Sequence, residues 1–283
     1  MDEHELLKER FKSAVSSTVK AISENFDLEI KFDKSTTSKK NSLNLPEIVN
    51  LKNLQDFTNL RAFADSEALK IKYNNSIIYQ KNEPKGSMSK ALYAIAEKIR
   101  YEKIGSNKLK GVKNNITQCY ENKFKNKKIE EIRTEGDVPI TDAFELYLRG
   151  YFFNIKQNHA TKKILSYWKK LFDKNLNQNL KKLDNSIENQ SKYNRLIADL
   201  IDNLDVEDSN SKEKKETTKN DTSSDENNNK DNDLSQKKED QNSDSDLNIF
   251  ENSLKFSDED NDSNQNEVKE IKDDPTLFRK NNK

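Results

Sequence analysis

The sequence predicts a mainly α-helical N-terminal domain at residues 1–205 and a disordered acidic tail at residues 206–283. Apolar residues recur every three or four positions through most of the first segment, which is the period of an amphipathic helix. Only one run of residues alternates as a strand does, so the domain should contain at most a small β-hairpin. The tail is rich in Asn, Asp, Ser, Glu and Lys. It has too few apolar side chains to offset the entropy cost of ordering it.

The charge of the chain changes sign at the same boundary. Residues 1–205 carry 37 Lys and Arg against 28 Asp and Glu, whereas residues 206–283 carry 13 against 22. The formal net charge of zero is therefore the sum of a basic domain and an acidic tail. One apolar cluster, residues 247–256 (LNIFENSLKF), interrupts the tail. It is either a segment that folds on a partner surface or a harmless fluctuation of composition.

The first elements of the domain are a helix and a strand. Residues 3–24 should form a helix, because Leu7, Phe11 and Val15 recur at helical spacing. Residues 27–32 (DLEIKF) alternate as a strand does, and a polar loop is expected at residues 33–44 before Leu45-Pro46 breaks it.

Six to eight helices are expected in all, and the later ones follow from the same spacing. Residues 77–80 (IIYQ) are either a second short strand or a tether across the core. The further helices are expected at residues 51–73, 88–104, 106–125, a segment opened by Pro139, 160–176, a leucine-rich run at 176–187, and 191–204.

Residues 91–116 (ALYAIAEKIRYEKIGSNKLKGVKNNI) are interpreted as two helices that meet at Gly105. On a helical wheel, Glu97 points roughly away from the apolar face, and Arg100 borders one edge of it. Since these two side chains are three positions apart, we expect them to pair on the surface. Glu102 falls almost on the apolar side, where a carboxylate is costly to bury without a partner. The partner is either a cation from another helix or a contact on another subunit.

The sequence contains none of the common catalytic or nucleotide-binding motifs. No Walker A loop, no G-x-G-x-x-G and no G-x-S-x-G is present. A zinc site needs converging ligands, and the sequence has only His4, His159 and Cys119 to offer, far apart. We therefore assign no catalytic residue and no metal site to this chain.

A lysine-rich stretch allows an alternative function. Positive charge clustered on one face can bind phosphates, so the domain could be a stand-alone module that binds nucleic acid or an acidic protein. Against nucleic acid, the lysine surplus is spread along the whole chain, which favours an ordinary solvated face. A third use of the stretch is to hold the acidic tail folded back over it. The candidate residues are Lys108, Lys110, Lys113, Lys123 and Lys125.

The chain is expected to be cytoplasmic. It has no apolar run of about 18 residues, the length that a membrane-spanning helix requires. Its N-terminus, MDEHELLKERFK, is charged and lacks the apolar core of a signal peptide.

The stretch at residues 91–116 also carries a resemblance. It is similar to a segment of the CobT-type subunit of aerobic cobaltochelatase that reads E-x-x-R-x-E-x-[IL]-G, then basic residues and G-V-x-x-N-[LI]. Other pieces agree in order: RFKSAVSSTVKAIS and DLEIKF near the N-terminus, Leu45-Pro46, RAFADSEALKIKYNN, a helix with Trp168, and an L-x-x-L…I-x-x-Q run that ends at Gln190. The matching residues that we take as family-signature or partner-docking candidates are Glu97, Arg100, Glu102, Gly105, Gly111 and Asn115.

The resemblance implies a non-catalytic subunit of an ATP-dependent chelatase, a ligase-type enzyme of cobalamin biosynthesis. That complex inserts cobalt into hydrogenobyrinic acid a,c-diamide. The partners it implies are a CobS-type AAA+ ATPase subunit and a CobN-type large subunit, and the chain would act by docking to the ATPase. ATP, magnesium and cobalt would be used by the complex, and none would be bound by this chain.

The sequence departs from the family pattern at its C-terminal end. The family usually continues into a von Willebrand factor A-like domain with a D-x-S-x-S motif, and neither that motif nor a doubly wound α/β pattern follows here. The resemblance therefore implies a fragment, a truncated gene product or one half of a split subunit.

Overall fold

The chain folds into nine α-helices and two short strands over the residues that the structure describes. The structure is a computed structural model, and it describes residues 3–33, 41–47, 54–125 and 132–204. The helices are α1 (Glu3–Ser23), α2 (Leu54–Tyr73), α3 (Ser76–Asn82), α4 (Ser87–Lys108), α5 (Lys110–Lys125), α6 (Ile140–Phe153), α7 (His159–Asn175), α8 (Asn177–Asn185) and α9 (Gln190–Asp202), and the strands are β1 (Glu29–Phe32) and β2 (Ser42–Leu45). The mainly helical fold is confirmed. The tail predicted to be disordered, residues 206–283, lies outside the described residues.

The two strands pair in parallel, so they do not form a hairpin. Glu29 aligns with Ser42 and Phe32 aligns with Leu45. The prediction of a polar loop through residue 44 was wrong at its C-terminal end. Leu43 and Leu45 are buried against the core, but an apolar alternation of two residues is too short to stand out in a polar segment.

Residues 77–80 are helical, and neither of the two predicted alternatives is correct. The Asn75 side chain accepts hydrogen bonds from the backbone N–H groups of Ile77 and Ile78 at 3.0 and 3.1 Å. Such an N-cap satisfies donors that a first helical turn would otherwise leave open. It therefore starts α3 directly after α2 ends.

The boundary between α4 and α5 lies at Leu109 rather than at Gly105. Leu109 is extended, with φ −126° and ψ 102°, and its N–H donates to the Gly105 carbonyl at 2.8 Å. Gly105 therefore lies inside α4, where it packs closely against a neighbouring helix, as described below.

Helix α4 is the centre of the domain. It packs against α2, α5, α6 and α9, and several of its apolar side chains, among them Leu92, Tyr93 and Ile99, are fully buried. Helix α1 covers α2 from outside and runs parallel to it. The rings of Phe11 and Phe57 lie 4.8 Å apart near one end, and Glu24 pairs with Lys72 at 2.7 Å near the other.

No helix among the described residues is long and apolar enough to cross a membrane.

Candidate functional site

The charged residues of α4 form a buried polar network at the centre of the domain. Glu97, Arg100 and Glu102 are exposed by only 2%, 1% and 1%. Because α4 has neighbouring helices on several sides, its polar side faces protein as well. The prediction that Glu97 and Arg100 pair was correct, but the prediction that the pair lies on the surface was wrong.

Glu97 and Arg100 form a two-bonded ion pair. Arg100 Nε donates to Glu97 Oε2 at 2.8 Å, and Arg100 Nη2 donates to Glu97 Oε1 at 2.8 Å. The remaining guanidinium donors reach the carbonyls of Ile187 at 3.2 Å and Tyr73 at 2.5 Å. The pair therefore holds the end of α2 and the start of the α9 region on α4.

Two amides from α9 complete this cluster. Gln190 Nε2 donates to Glu97 Oε1 at 3.1 Å and to Asn74 Oδ1 at 2.8 Å, and Gln190 Oε1 accepts from the Asn75 N–H at 2.8 Å. The Asn194 amide fits with its nitrogen 2.7 Å from Glu97 Oε2 and its oxygen accepting from the Tyr93 hydroxyl at 2.9 Å.

Burial raises the pKa of Glu97, and the bonds from Arg100 only partly offset this effect. A buried carboxylate is tolerated when it is paired and its lone pairs are satisfied. The Gln190 and Asn194 amides bond the Glu97 oxygens in addition to Arg100, so the buried ion pair has its hydrogen-bond partners within the protein.

Glu102 has its partners inside the domain. Glu102 Oε2 accepts from Arg149 Nη1 of α6 at 2.7 Å, and Glu102 Oε1 accepts from the Ser66 hydroxyl of α2 at 2.6 Å. Of the two partners that the sequence left open, the structure places a cation from another helix beside Glu102. A docking role for Glu102 stays a prediction, which a single chain does not test.

A chain of alternating charges continues from Arg149. Arg149 Nε donates to Glu145 Oε1 at 3.0 Å, and Glu145 Oε2 accepts from Lys123 of α5 at 2.8 Å. Burial disfavours the ionised form of Glu145, but Lys123 and Arg149 together hold its pKa well below its usual range. This second cluster therefore ties α4, α5 and α6 together through ion pairs and adds α2 through the Ser66 hydrogen bond.

Aromatic stacking fixes the Arg149 guanidinium further. Its central carbon lies 3.2 Å from the centroid of the Tyr120 ring, well within the limit of about 6 Å for a cation–π contact. Arg149 Nη2 is buried without a hydrogen-bond partner. Beside this group, burial raises the pKa of the Cys119 thiol to about 11, which keeps the thiol protonated and inert at neutral pH.

The remaining signature residues differ in what they do. A Cβ atom at Gly105 would overlap a methyl group of Leu69, so the glycine allows α4 and α2 to approach closely. Asn115 Nδ2 donates to Asp65 Oδ2 at 2.7 Å and joins α5 to α2. Gly111 has open space around it, and nothing in the structure explains a requirement for glycine there.

The candidate lysines do not form a single face. Lys108, Lys110 and Lys113 are exposed around the corner between α4 and α5, whereas Lys123 is drawn into the charged cluster by Glu145. The Lys125 side chain lies outside the described residues. Only the first three are therefore placed together on the surface.

A groove of about 460 Å³ lies beside this corner. We call it the α1–α4 groove. Among its lining residues Gly105 is buried and Lys108 is exposed, so we call Gly105 its base and Lys108 its edge. Both belong to residues 91–116, the signature stretch, which therefore forms part of its wall. Its lining residues are Ser17, Thr18, Ala21, Ile22, Leu69, Lys72, Tyr73, Gly105, Lys108 and Leu109.

Sequence reasoning missed Arg149, Glu145, Ser66 and Asn194. A signal for two of them was present, because Glu145 and Arg149 are four residues apart in a mostly apolar and aromatic helix, where charges are rarely buried unless paired. Gln190 appeared in the resemblance but was not proposed as a site residue. Nothing in the sequence indicates which helices bring these side chains together.

The network can position helices, but it offers little for catalysis. Its charged groups are paired with one another and closed off from solvent. Across the described part of the chain, no group of three or more His, Cys, Asp or Glu side chains is arranged to hold a metal ion.

Comparison with known proteins agrees with the resemblance. No solved structure matches the chain. A family model described as "Cobalamin biosynthesis protein CobT" matches residues 6–276, nearly the whole length. The signature stretch and both buried clusters lie within the matched residues, and the chain belongs to the CobT family of cobalamin biosynthesis proteins.

Proposed function

We propose that this chain is a non-catalytic subunit, or a fragment of one, of the ATP-dependent cobaltochelatase that inserts cobalt into hydrogenobyrinic acid a,c-diamide. Family membership supports a role in cobalamin biosynthesis. In this proposal the chain docks to a CobS-type AAA+ ATPase through its helical domain. A CobN-type subunit holds the tetrapyrrole, cobalt is the substrate, and ATP and magnesium are used by the partners.

The observation that carries the proposal is that the charged signature residues pair with other side chains inside the domain. Glu97 and Arg100 satisfy each other, and Glu102 pairs with Arg149. A catalytic acid or base must reach a substrate, and these groups are enclosed by protein. A rigid scaffold that presents its outer surface to other subunits is the role that such an arrangement supports best.

Mixing the full chain with a CobS-type ATPase in ATP and magnesium, and measuring the mass of the mixture by sedimentation velocity, tests the docking step. We expect a new species heavier than the ATPase ring alone. Two unshifted components at micromolar concentration would contradict the proposal. Adding the CobN-type subunit, cobalt and the tetrapyrrole then tests whether the chain supports cobalt insertion.

The surface lysines support a second candidate function, binding of a negatively charged partner. Lys108, Lys110 and Lys113 are exposed together, which favours binding of an acidic protein or of nucleic acid. Retention on a polyanion column should then fall steeply with salt. The variant Lys110→Glu/Lys113→Glu should lose retention, and Lys169→Glu/Lys170→Glu, which changes two exposed lysines of α7, should lose much less. Equal losses would indicate that only the net charge matters.

A further inference from the structure

We propose that residues 247–256 of the tail dock into the α1–α4 groove of the same chain. The proposal concerns this chain alone and does not depend on the chelatase function. It rests on the apolar lining of the groove, the positive charge at its edge, the pattern of the segment and the length of chain that connects the two.

Helix α1 forms an apolar wall of the groove, and the hydroxyl groups on this wall already donate hydrogen bonds within the helix. The Ser17 and Thr18 hydroxyls donate to the carbonyls of Ser13 and Ala14 at 2.9 and 2.8 Å. With these hydroxyls occupied by the helix itself, their carbon atoms and the neighbouring Ala21 line the groove. An apolar side chain can therefore enter without stranding a polar group.

The base of the groove is fixed by the buried network. Gly105 and Leu69 are in direct contact there, and Arg100 donates to the Tyr73 carbonyl. Across from α1, Leu109 remains 42% exposed although it is a large apolar residue. The groove is thus a preformed surface, which lowers the entropy cost of binding.

Positive charge lies at the edge of the groove. Lys108 Nζ lies 5.1 Å from the centroid of the Tyr73 ring, and Lys72 Nζ lies 5.4 Å from the same centroid. Lys72 is already paired with Glu24. Lys110 and Lys113 extend the positive charge beyond Lys108. A segment that combines apolar anchors with acidic flanks would match both properties.

Residues 247–256 have that combination. Leu247, Phe250 and Leu254 are spaced i, i+3 and i+7, the pattern of apolar anchors on a helix that binds in a groove. Acidic residues flank the anchors on both sides, at Asp244, Asp246, Asp258, Glu259 and Asp260. Elsewhere in residues 206–283 the sequence offers no other apolar cluster of this density.

The connecting chain is long enough. Helix α9 runs antiparallel to α4, since Gln190 meets Glu97 and Asn194 meets Tyr93. Its end thus lies near the start of α4, roughly 30 Å along that helix from the groove. Residues 205–246 supply 42 residues of polar chain, and a linker of that length and composition has a typical reach of roughly 35 Å.

This tether favours the chain's own segment over a second copy. A segment attached by a flexible linker whose length matches the span has an effective concentration on the order of millimolar. A second copy at micromolar concentration competes poorly with that. Docking in the same chain can therefore occur even if the segment binds only weakly.

Photo-crosslinking of the full chain tests the proposal directly. We would place p-benzoylphenylalanine at Phe250 and, as a matched control, at Phe278 in the same tail. Crosslinks from position 250 should fall on peptides that contain residues 17–22 or 105–109 about fivefold more often than those from position 278, because position 278 shares the tether and its effective concentration but not the docking anchors. Mixing chains labelled with ¹⁴N and ¹⁵N separates crosslinks within a chain from those between chains.

Hydrogen exchange gives an independent readout. Phe250→Asp/Leu254→Asp should speed exchange at residues 17–22 and 105–113 by about twofold or more, because it removes a segment bound at least half of the time. Leu277→Asp/Phe278→Asp makes the same chemical changes and should leave these residues as they were. Crosslinks that scatter evenly, crosslinks mainly between chains, or equal exchange in both variants would overturn the proposal.

Discussion

Glu102 of α4 and Arg149 of α6 form an ion pair of 2.7 Å with both side chains almost entirely removed from solvent. Ser66 of α2 bonds the free oxygen of the carboxylate, and Tyr120 of α5 stacks on the guanidinium. Four helices therefore meet at one pair of charges. Because a buried charge is costly without its partner, this pair makes the arrangement of the four helices interdependent.

Glu102→Gln should destabilise the domain by about 3–5 kcal/mol, since it leaves the buried Arg149 short of charge compensation. Urea unfolding followed by circular dichroism measures the change. Glu188→Gln, which alters an exposed carboxylate, should change stability by less than about 0.5 kcal/mol.

The double variant Glu102→Gln/Arg149→Met tests whether the stability lost in Glu102→Gln comes from the buried charge of Arg149. Since Arg149 keeps only Glu145 as an ion-pair partner in Glu102→Gln, replacing it as well should make the double variant less destabilised than the sum of the two single variants. Strict additivity would show that the two side chains do not interact in the folded protein.

Glu145 should make stability fall at acidic pH. Its pKa is lowered in the fold, below an unfolded value of about 4.3. The native state then binds fewer protons than the unfolded state in that window. The stability that Glu145 contributes is therefore present above the unfolded pKa and is lost as pH falls through the folded pKa.

Comparing wild type with Glu145→Gln across pH isolates this contribution. At pH 7 the variant should be less stable by about 1–3 kcal/mol, because charged hydrogen bonds to Arg149 and Lys123 are lost. The gap should narrow steadily below about pH 4. Glu135→Gln, at an exposed position, should change stability by less than about 0.5 kcal/mol at pH 7. A gap for Glu145→Gln that is constant from pH 7 to pH 3 would refute the assignment.

Gly105→Ala should destabilise the domain by about 1–3 kcal/mol, because the added methyl group overlaps the buried Leu69 side chain. Gly111→Ala is the matched control on the next helix. It meets open space, so it should be neutral or stabilising by up to about 1 kcal/mol. Thermal unfolding of both variants gives the comparison, and equal effects would show that Gly105 is not a packing contact.

Gln190→Ala should loosen α9 locally. The side chain joins Glu97, Asn74 and the Asn75 backbone, so its loss leaves a buried carboxylate and a backbone N–H short of partners, at about 1–3 kcal/mol. Hydrogen exchange across α9 should accelerate relative to wild type. Ser191→Ala changes the next residue, which is exposed, and should leave hydrogen exchange across α9 unchanged. An unperturbed α9 in Gln190→Ala would contradict the role assigned here.

Most of the fold could be predicted because long amphipathic helices repeat their pattern many times. Residues 3–24 were predicted as a helix, and α1 covers Glu3–Ser23. Short elements gave no such repetition. The strand Ser42–Leu45 and the helix Ser76–Asn82 are decided by pairing with a distant strand and by the Asn75 cap.

The candidate site was predicted in part. The need of Glu102 for a partner followed from its position near the apolar face, and the structure supplies Arg149. The surface position predicted for Glu97 failed because a helical wheel assumes that a helix has one buried side. Helix α4 has several, since four other helices surround it.

The helical class, the opposite charges of residues 1–205 and 206–283, and a motif that lies within the residues matched by the CobT family model can all be read from the sequence. These properties depend on local period and composition, which are readable residue by residue. Only the tertiary structure decided that the signature charges are enclosed, that Arg149 and Gln190 complete them, and that Gly105 lies at the base of a groove. Such contacts join residues from 47 to 93 positions apart, and the packing of the helices, rather than any local pattern, brings them together.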